Sequence, residues 1–250
     1  MEIRKFSKKK DGIYKIELED DNILLVHEDL ILKYDLLLSK KITEEIKEKI
    51  LEENLNYLAY NAAIKYITTK MRSVKEINDY LTKQGVAPYI IEYVIAKLER
   101  NNYINDEVYA VSFINDKITL SNDGPLKIVA ELTKRGVAPQ IANTKIAIFT
   151  EELEKEKIQK IVTKLQKSNH TKSAFALKNK IQNYLLNLGY NVSYINEVLN
   201  KSQIKNDDNI AQKEYEKIYK KLSRKYSGKE LENKIKQKMY SLGFKEYSEY

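Results

Sequence analysis

The 250-residue chain is 42% hydrophobic and 32% charged, with no cysteine, no tryptophan and only three prolines. That composition describes a folded protein with a core, and it excludes disulfide frameworks, thiolate catalysis and every cysteine-ligated zinc or iron-sulfur centre, so a reducing, cytoplasmic setting is expected. The formal charge of +8 is unevenly placed: residues 1–150 hold 23 Lys/Arg against 23 Asp/Glu, and residues 151–250 hold 21 against 13.

Of the basic residues only Arg4, Arg72, Arg100, Arg135 and Arg224 are arginine. Positive contacts are therefore mostly lysine point charges, which attract phosphates better than they read bases. The uninterrupted apolar runs, such as residues 23–26 and 36–38, fall far short of the ~20 residues a bilayer span needs. The basic opening MEIRKFSKKKDG leads into no apolar segment of the kind a signal peptide carries, and export is not expected.

Residues 13–18 (IYKIEL) and 23–27 (ILLVH) are β-prone runs around the turn formers Asp20, Asp21 and Asn22, which predicts an N-terminal hairpin. Two strands need a partner surface. A helix over 28–38, with Leu30, Ile31, Tyr34, Leu37 and Leu38 on one side, is the natural one. Residues 1–50 form a small appended module on this reading.

From Thr43 onward the spacing turns helical. Gly85, Gly136, Gly189 and Gly243 recur at intervals of 51, 53 and 54 residues. Eight residues before each stands Ile77, Ile128, Ile181 or Ile235, and four before stands Leu81, Leu132, Leu185 or Met239. One after stands Val86, Val137, Tyr190 or Phe244. Apolar residues at minus eight and minus four share one helix face, the glycine supplies a left-handed C-terminal cap, and the next apolar residue folds back over the last turn. Helix starts agree: Ser73 with Glu76 and Ser227 with Glu230 are capping-box pairs, and Gly124-Pro125 places proline at a first helical position. A second helix follows each of the first three glycines (88–100, 139–150, 192–202), and a third precedes each glycine helix (about 55–69, 106–119, 152–168 and 207–226).

The expected fold is mainly α: tandem three-helix repeats at 51–102, 103–150 and 151–203, with an incomplete fourth at 204–250, forming an elongated, curved stack with a concave side.

Little points to catalysis. His27 and His170 lie far apart without a second histidine at metal spacing, and a surface or turn position is expected for each. No phosphate-cradling glycine motif is present, and the carboxylate pairs Asp20/Asp21, Glu44/Glu45 and Asp207/Asp208 fall at turns or helix starts, where they complement the helix dipole. No enzyme, cofactor or metal is expected. The basic stripe says more. In residues 211–226 (AQKEYEKIYKKLSRKY), Tyr215, Ile218, Tyr219, Leu222 and Tyr226 make one helix face, and Lys213, Lys217, Lys220 and Arg224 another. Both a solvated face and a nucleic-acid face fit that pattern. Most of the 19 tyrosines, including Tyr80, Tyr93 and Tyr184, fall at core spacing, so packing rather than base stacking is expected of them.

Three segments are more specific. MRSVKEINDYLTKQG (71–85), RNNYINDEVYAVSFINDKI (100–118) and GPLKIVAELTKRG (124–136) together resemble the RecX family of recombinase regulators: an Arg72/Ser73 start with the EIxxYLxxxG helix, the turn the family writes as GYIDDExYA, here Asn102 to Ala110, and the Gly124-led helix ending in LTKRG. Asn102 stands where the family has glycine, and Asn105 where it has its first aspartate. The N-terminal module is similar to the one that longer RecX proteins of low-GC Gram-positive bacteria carry. The resemblance is strong over 55–136 and weak beyond 150.

It implies a non-enzymatic protein that binds RecA, lodges in the groove of the RecA filament on single-stranded DNA, inhibits its ATPase, strand-exchange and coprotease functions, and contacts DNA itself. A monomer is expected. The candidate RecA contacts are Lys70, Arg72, Lys75, Asp79, Asp106, Tyr109, Lys117 and Lys127, although Tyr109 can equally pack, Asp106 cap a helix and Arg72 meet helix carbonyls. The candidate phosphate contacts are Lys213, Lys217, Lys220, Lys221 and Arg224. Two other readings stay open: a general nucleic-acid-binding helical repeat protein with no recombinase partner, and a protein scaffold whose basic face serves solubility.

Overall fold

A computed structural model describes residues 1–245. The chain divides into two compact units: residues 1–109 with 135–137, and residues 110–134 with the rest from 138 onward.

Unit 1 opens with an antiparallel sheet of three strands, β1 (Ile3–Lys8), β2 (Ile13–Leu18) and β3 (Ile23–His27), in the order β1-β2-β3. The expected hairpin is therefore β2-β3, with Tyr14 opposite Val26 and Ile16 opposite Leu24. The first strand was not expected. Its charged Arg4, Lys5 and Lys8 are what an edge strand needs to avoid pairing with other chains. The turn that returns it to β2 rests on Asp11 and Gly12, both at positive φ (62° and 72°).

Helix α1 (Glu28–Lys33) and the single turn α2 (Leu36–Ser39) follow. They replace the one helix expected over 28–38, because Asp35 takes a left-handed conformation between them (φ 51°). In consequence Leu30, Ile31 and Leu36 enter the core with Ile16, Leu18, Leu24 and Val26, whereas Leu37 and Leu38 face outward. His27, expected at a surface or turn, is buried. Its Nδ1 accepts the Asp29 N–H and caps α1, its ring stacks on Tyr57 at 5.1 Å, and its own N–H donates to Asn54 Oδ1 at 3.0 Å. Helix α3 (Glu44–Thr68), capped by Thr43, runs on for 25 residues. Its Ile50 belongs to the core under the sheet, and its Ala59 and Ala63 to the next one.

That next core holds α4 (Val74–Lys83) and α5 (Pro88–Arg100). Helix α6 (Asp106–Leu120) begins in unit 1 and ends in unit 2. Then come α7 (Pro125–Lys134), α8 (Pro139–Lys145) with a 3-10 turn at Ile146–Ile148, α9 (Glu151–Lys167), α10 (Ala174–Asn187), α11 (Val192–Lys201), α12 (Asp208–Leu222) and α13 (Gly228–Ser241).

The four glycines do what their spacing predicts. Each lies at φ between 77° and 91°, and after Gly85, Gly189 and Gly243 the next amide reaches back to the carbonyl five residues earlier, as in Val86 to Leu81 (3.2 Å) and Phe244 to Met239 (3.0 Å). These bonds satisfy carbonyls that a helix end leaves orphaned. The residues at minus eight and minus four are buried in all four helices, and so are Val137, Tyr190 and Phe244.

Three of the glycine turns are also seated on a helix start. Ser73 Oγ donates to the Arg135 carbonyl at 2.6 Å, the Gly124 N–H to Leu188 at 2.7 Å, and Ser173 Oγ to Leu242. The Ser73 capping box is complete. The second expected box, Ser227 with Glu230, is not formed: Ser227 makes no side-chain cap bond, and Gly228 beside it sits at φ 57°.

Candidate functional site

The candidate partner contacts of unit 1 cluster at the start of α4. Lys70, Lys75 and Asp79 are exposed. Lys75 Nζ and Asp79 Oδ2 form an i,i+4 ion pair at 2.5 Å, and the Lys75 stem covers Gly136, where an added Cβ would come within 2.2 Å of Lys75 Cβ. The Arg72 guanidinium lies over the Tyr66 ring at 4.1 Å, and that ring stacks on Tyr80, also at 4.1 Å. Arg72 Nε is buried without a hydrogen-bond partner, beside a cavity of about 310 Å³ lined by Ile64, Met71, Tyr103, Ile104 and Val108.

Asp106 and Tyr109 serve this start from beneath. Asp106 Oδ1 accepts the Val74 N–H at 2.9 Å; burial raises its carboxyl above the ordinary range, against the pull of that bond. Tyr109 is buried, and burial raises its hydroxyl pKa as well. The hydroxyl receives a bond from Arg135 Nη1 at 3.4 Å, and the same nitrogen pairs with Glu76 at 3.0 Å. Asn102 adopts φ 57°, so asparagine fills the left-handed position that glycine holds in the family pattern.

Lys117 and Lys127 belong to unit 2, where both hold the buried Asp123. Lys117 Nζ meets Asp123 at 2.9 Å and Glu131 at 2.7 Å, and Lys127 meets Asp123 at 2.6 Å. Burial alone would raise the Asp123 carboxyl; the two lysines outweigh it and hold it below its ordinary value. Lys117 is likewise raised, its carboxylate partners overcoming desolvation.

The candidate phosphate contacts line α12 and, at Arg224, the turn that follows it. Lys213, Lys217, Lys220, Lys221 and Arg224 are all exposed. Lys217 keeps a loose pair with Glu214 at 3.3 Å. Lys213 and Lys217 border a groove of about 380 Å³ with His170 and Lys172, and Lys221 borders another of about 330 Å³ with Lys234 and Lys238. The apolar face of α12 is narrower than its spacing suggested. Ile210, Ala211 and Ile218 are buried against α13 residues Leu231, Ile235 and Met239, with Leu222 and Tyr226 partly covered.

Tyr215 and Tyr219, expected to pack, are instead 38% and 48% exposed and stack on one another at 6.4 Å. Tyr93 and Tyr184 are exposed too. Spacing alone could not show this, because it places a tyrosine on a face without showing whether a neighbouring helix covers that ring. The α12 tyrosines, interleaved with lysines, form the kind of surface on which single-stranded bases stack, a feature that sequence reasoning missed. Among the described residues, no helix is long and apolar enough to cross a membrane.

Comparison with known proteins bears on this arrangement. Residues 59–98 match the first three-helix domain of RecX, and residues 105–145 the second. The regulatory protein RecX of Streptococcus sanguinis is 30% identical over 98% of this chain and 95% of its own length; that of Bacillus mycoides is 30% identical over 98% and 92%. Among solved structures, a regulatory protein RecX superposes with a TM-score of 0.67 at 23% identity, covering 80% of this chain and 99% of that one. RecX from Lactobacillus salivarius gives 0.58 at 29% identity, covering 60% and 97%. The helices, their glycine register and full-length similarity to these proteins agree: the chain belongs to the RecX family of regulatory proteins.

Proposed function

We propose that the protein is a non-enzymatic regulator of the cytoplasmic RecA recombinase. It binds RecA and its filament on single-stranded DNA, lodges in the filament groove, and inhibits ATPase, strand-exchange and coprotease functions. The repeats at 51–102, 103–150, 151–203 and 204–250 are its binding units, and the exposed Lys70, Lys75 and Asp79, with the half-buried Arg72 beside them, contact RecA. Lys213, Lys217, Lys220, Lys221 and Arg224 hold phosphates without reading bases. The observation that carries the reading is family membership across nearly the whole chain. Contact across adjacent RecA subunits blocks extension or loosens their interface, so small amounts act on long filaments.

The test is the DNA-dependent ATPase of the cognate RecA on single-stranded DNA, titrated from well below stoichiometric to equimolar. ATP hydrolysis declining at low ratios is the expected result. A requirement for one copy per RecA subunit at every filament length would overturn the substoichiometric mode, and no effect at excess would overturn RecA as the partner. The exposed Tyr215/Tyr219 stack among lysines favours one second reading, a general single-strand binder; tight DNA binding without any effect on RecA would establish it.

A further inference from the structure

Within this chain, a glycine turn and a helix start recognise one another. The turn presents the carbonyl that precedes its glycine, and the start presents backbone N–H groups or a serine hydroxyl. The partial negative charge of a helix C-terminus thus meets the partial positive charge of an N-terminus. The approach is close. A Cβ at Gly136, Gly189 or Gly243 would come within 2.2, 2.5 or 2.7 Å of Lys75 Cβ, Lys127 N or Ser173 Oγ.

Among the described residues, one turn and one start are left over. A Cβ at Gly85 would meet nothing within 4 Å, and Gln84 and Gly85 are exposed. Residues 227–230 are exposed, with the Ser227 cap unmade. Their sequences match the pair already docked in unit 1. The free turn LTKQGVAP (81–88) equals the seated turn LTKRGVAP (132–139) at seven of eight positions. The empty start SGKE (227–230) equals the occupied start SVKE (73–76) at three of four. The one change in the turn is informative: Arg135, which pairs with Glu76 at 3.0 Å, becomes Gln84, opposite which Glu230 would stand.

We propose that copies of this protein associate head to tail, the Gly85 turn of one seating on residues 227–230 of the next. This inference does not depend on RecA as the partner. The two surfaces differ, so the contact is heterologous and leaves one turn and one start open at the ends of each assembly, which therefore grows by addition. A single seated turn buries little area, and without the arginine pair the association is weak and concentration-dependent. It strengthens wherever copies are held side by side on a common template.

Sedimentation velocity of the full chain without DNA, from about 5 to about 500 µM, spans the range in which so small a contact reports. The expected result is a weight-average mass that rises with concentration. Gln84→Arg, which supplies the missing partner for Glu230, lowers the concentration of half-association about two- to fivefold, the range of a single exposed ion pair. Gln84→Glu abolishes association through repulsion, and adding Glu230→Arg to it restores association by reversing the pair. All four residues at the start, and Gln84, are exposed, so the variants should fold normally, with circular dichroism as the control. Two results would overturn the proposal: a monomeric Gln84→Arg protein at the highest concentration, or association unchanged by Gln84→Glu.

Discussion

Lysine has two employments in this protein, and two groups of candidate residues show the contrast. Around α4 and α7 the lysines are committed: Lys75 to Asp79, Lys127 to Asp123, and Lys117 to both Asp123 and Glu131. Along α12, Lys213, Lys220, Lys221 and Arg224 make no ion pair among the described residues, and Lys217 makes only a loose one. A lysine whose charge is already answered around a buried carboxylate builds the fold. A row of unanswered ones repels itself and is relieved when an anion arrives.

The largest effect should come from removing the unanswered row. Replacing Lys213, Lys217, Lys220 and Arg224 with alanine should lower single-stranded DNA affinity by about 10²-fold near 0.1 M salt and flatten the plot of log affinity against log salt by up to about three units. The melting temperature should hold, since these side chains pack against nothing in the core. Unchanged DNA binding, read by fluorescence anisotropy across a salt series, would break the distinction.

An intermediate effect is expected at Lys117→Met. It strips the buried Asp123 of one of two cations and should cost about 1–3 kcal/mol of stability, measured by urea unfolding, with DNA affinity unchanged. The variant should also alter the acid limb. Asp123 is depressed below its ordinary 3.8 in the folded protein. Its contribution is therefore present above that value and lost as pH falls through the lower folded value. With Lys117 gone the depression shrinks, and the loss of stability below about pH 4 becomes shallower.

The smallest effect is expected at Asp79→Asn, which breaks an exposed i,i+4 pair worth about 0.3–0.5 kcal/mol. It leaves the Lys75 stem over Gly136. Because Asp79 also stands on the face proposed to contact RecA, Asp79→Asn should in addition weaken inhibition of RecA ATPase; unchanged inhibition would leave the α4 pair a purely structural role.

Much of this arrangement was legible beforehand, for a physical reason. A glycine at positive φ closing an amphipathic helix leaves a fixed signature at minus eight, minus four and plus one, and all four copies carry it. What escaped notice depended on neighbours rather than on local pattern. Strand β1 carries only Ile3 and Phe6 as apolar residues, three apart and so without the alternation of a strand, and exists because β2 offers an edge. Asp35 breaks the helix at 28–38 through a backbone conformation that asparagine and aspartate tolerate but do not announce. His27 reads as a turn residue until Tyr57 and Asn54 arrive from α3. Ser227 and Glu230 have the letters of a capping box, yet Gly228 leaves the helical region and no turn is seated there. The committed and unanswered lysines were alike in the sequence, because only folding decides which of them meets a carboxylate.

Helix α3 is the mechanical link of unit 1. Its 25 residues span about 37 Å at the usual rise, and Ile50 at one end and Ala63 toward the other are sealed into different cores of unit 1. The N-terminal sheet and the first repeat are thus joined by a strut rather than a tether. A load applied to the sheet reaches α4 and α5 with little slack, and thermal opening of one core frays the helix that the other depends on. The two should melt as one cooperative block, and a truncation through α3 would injure both.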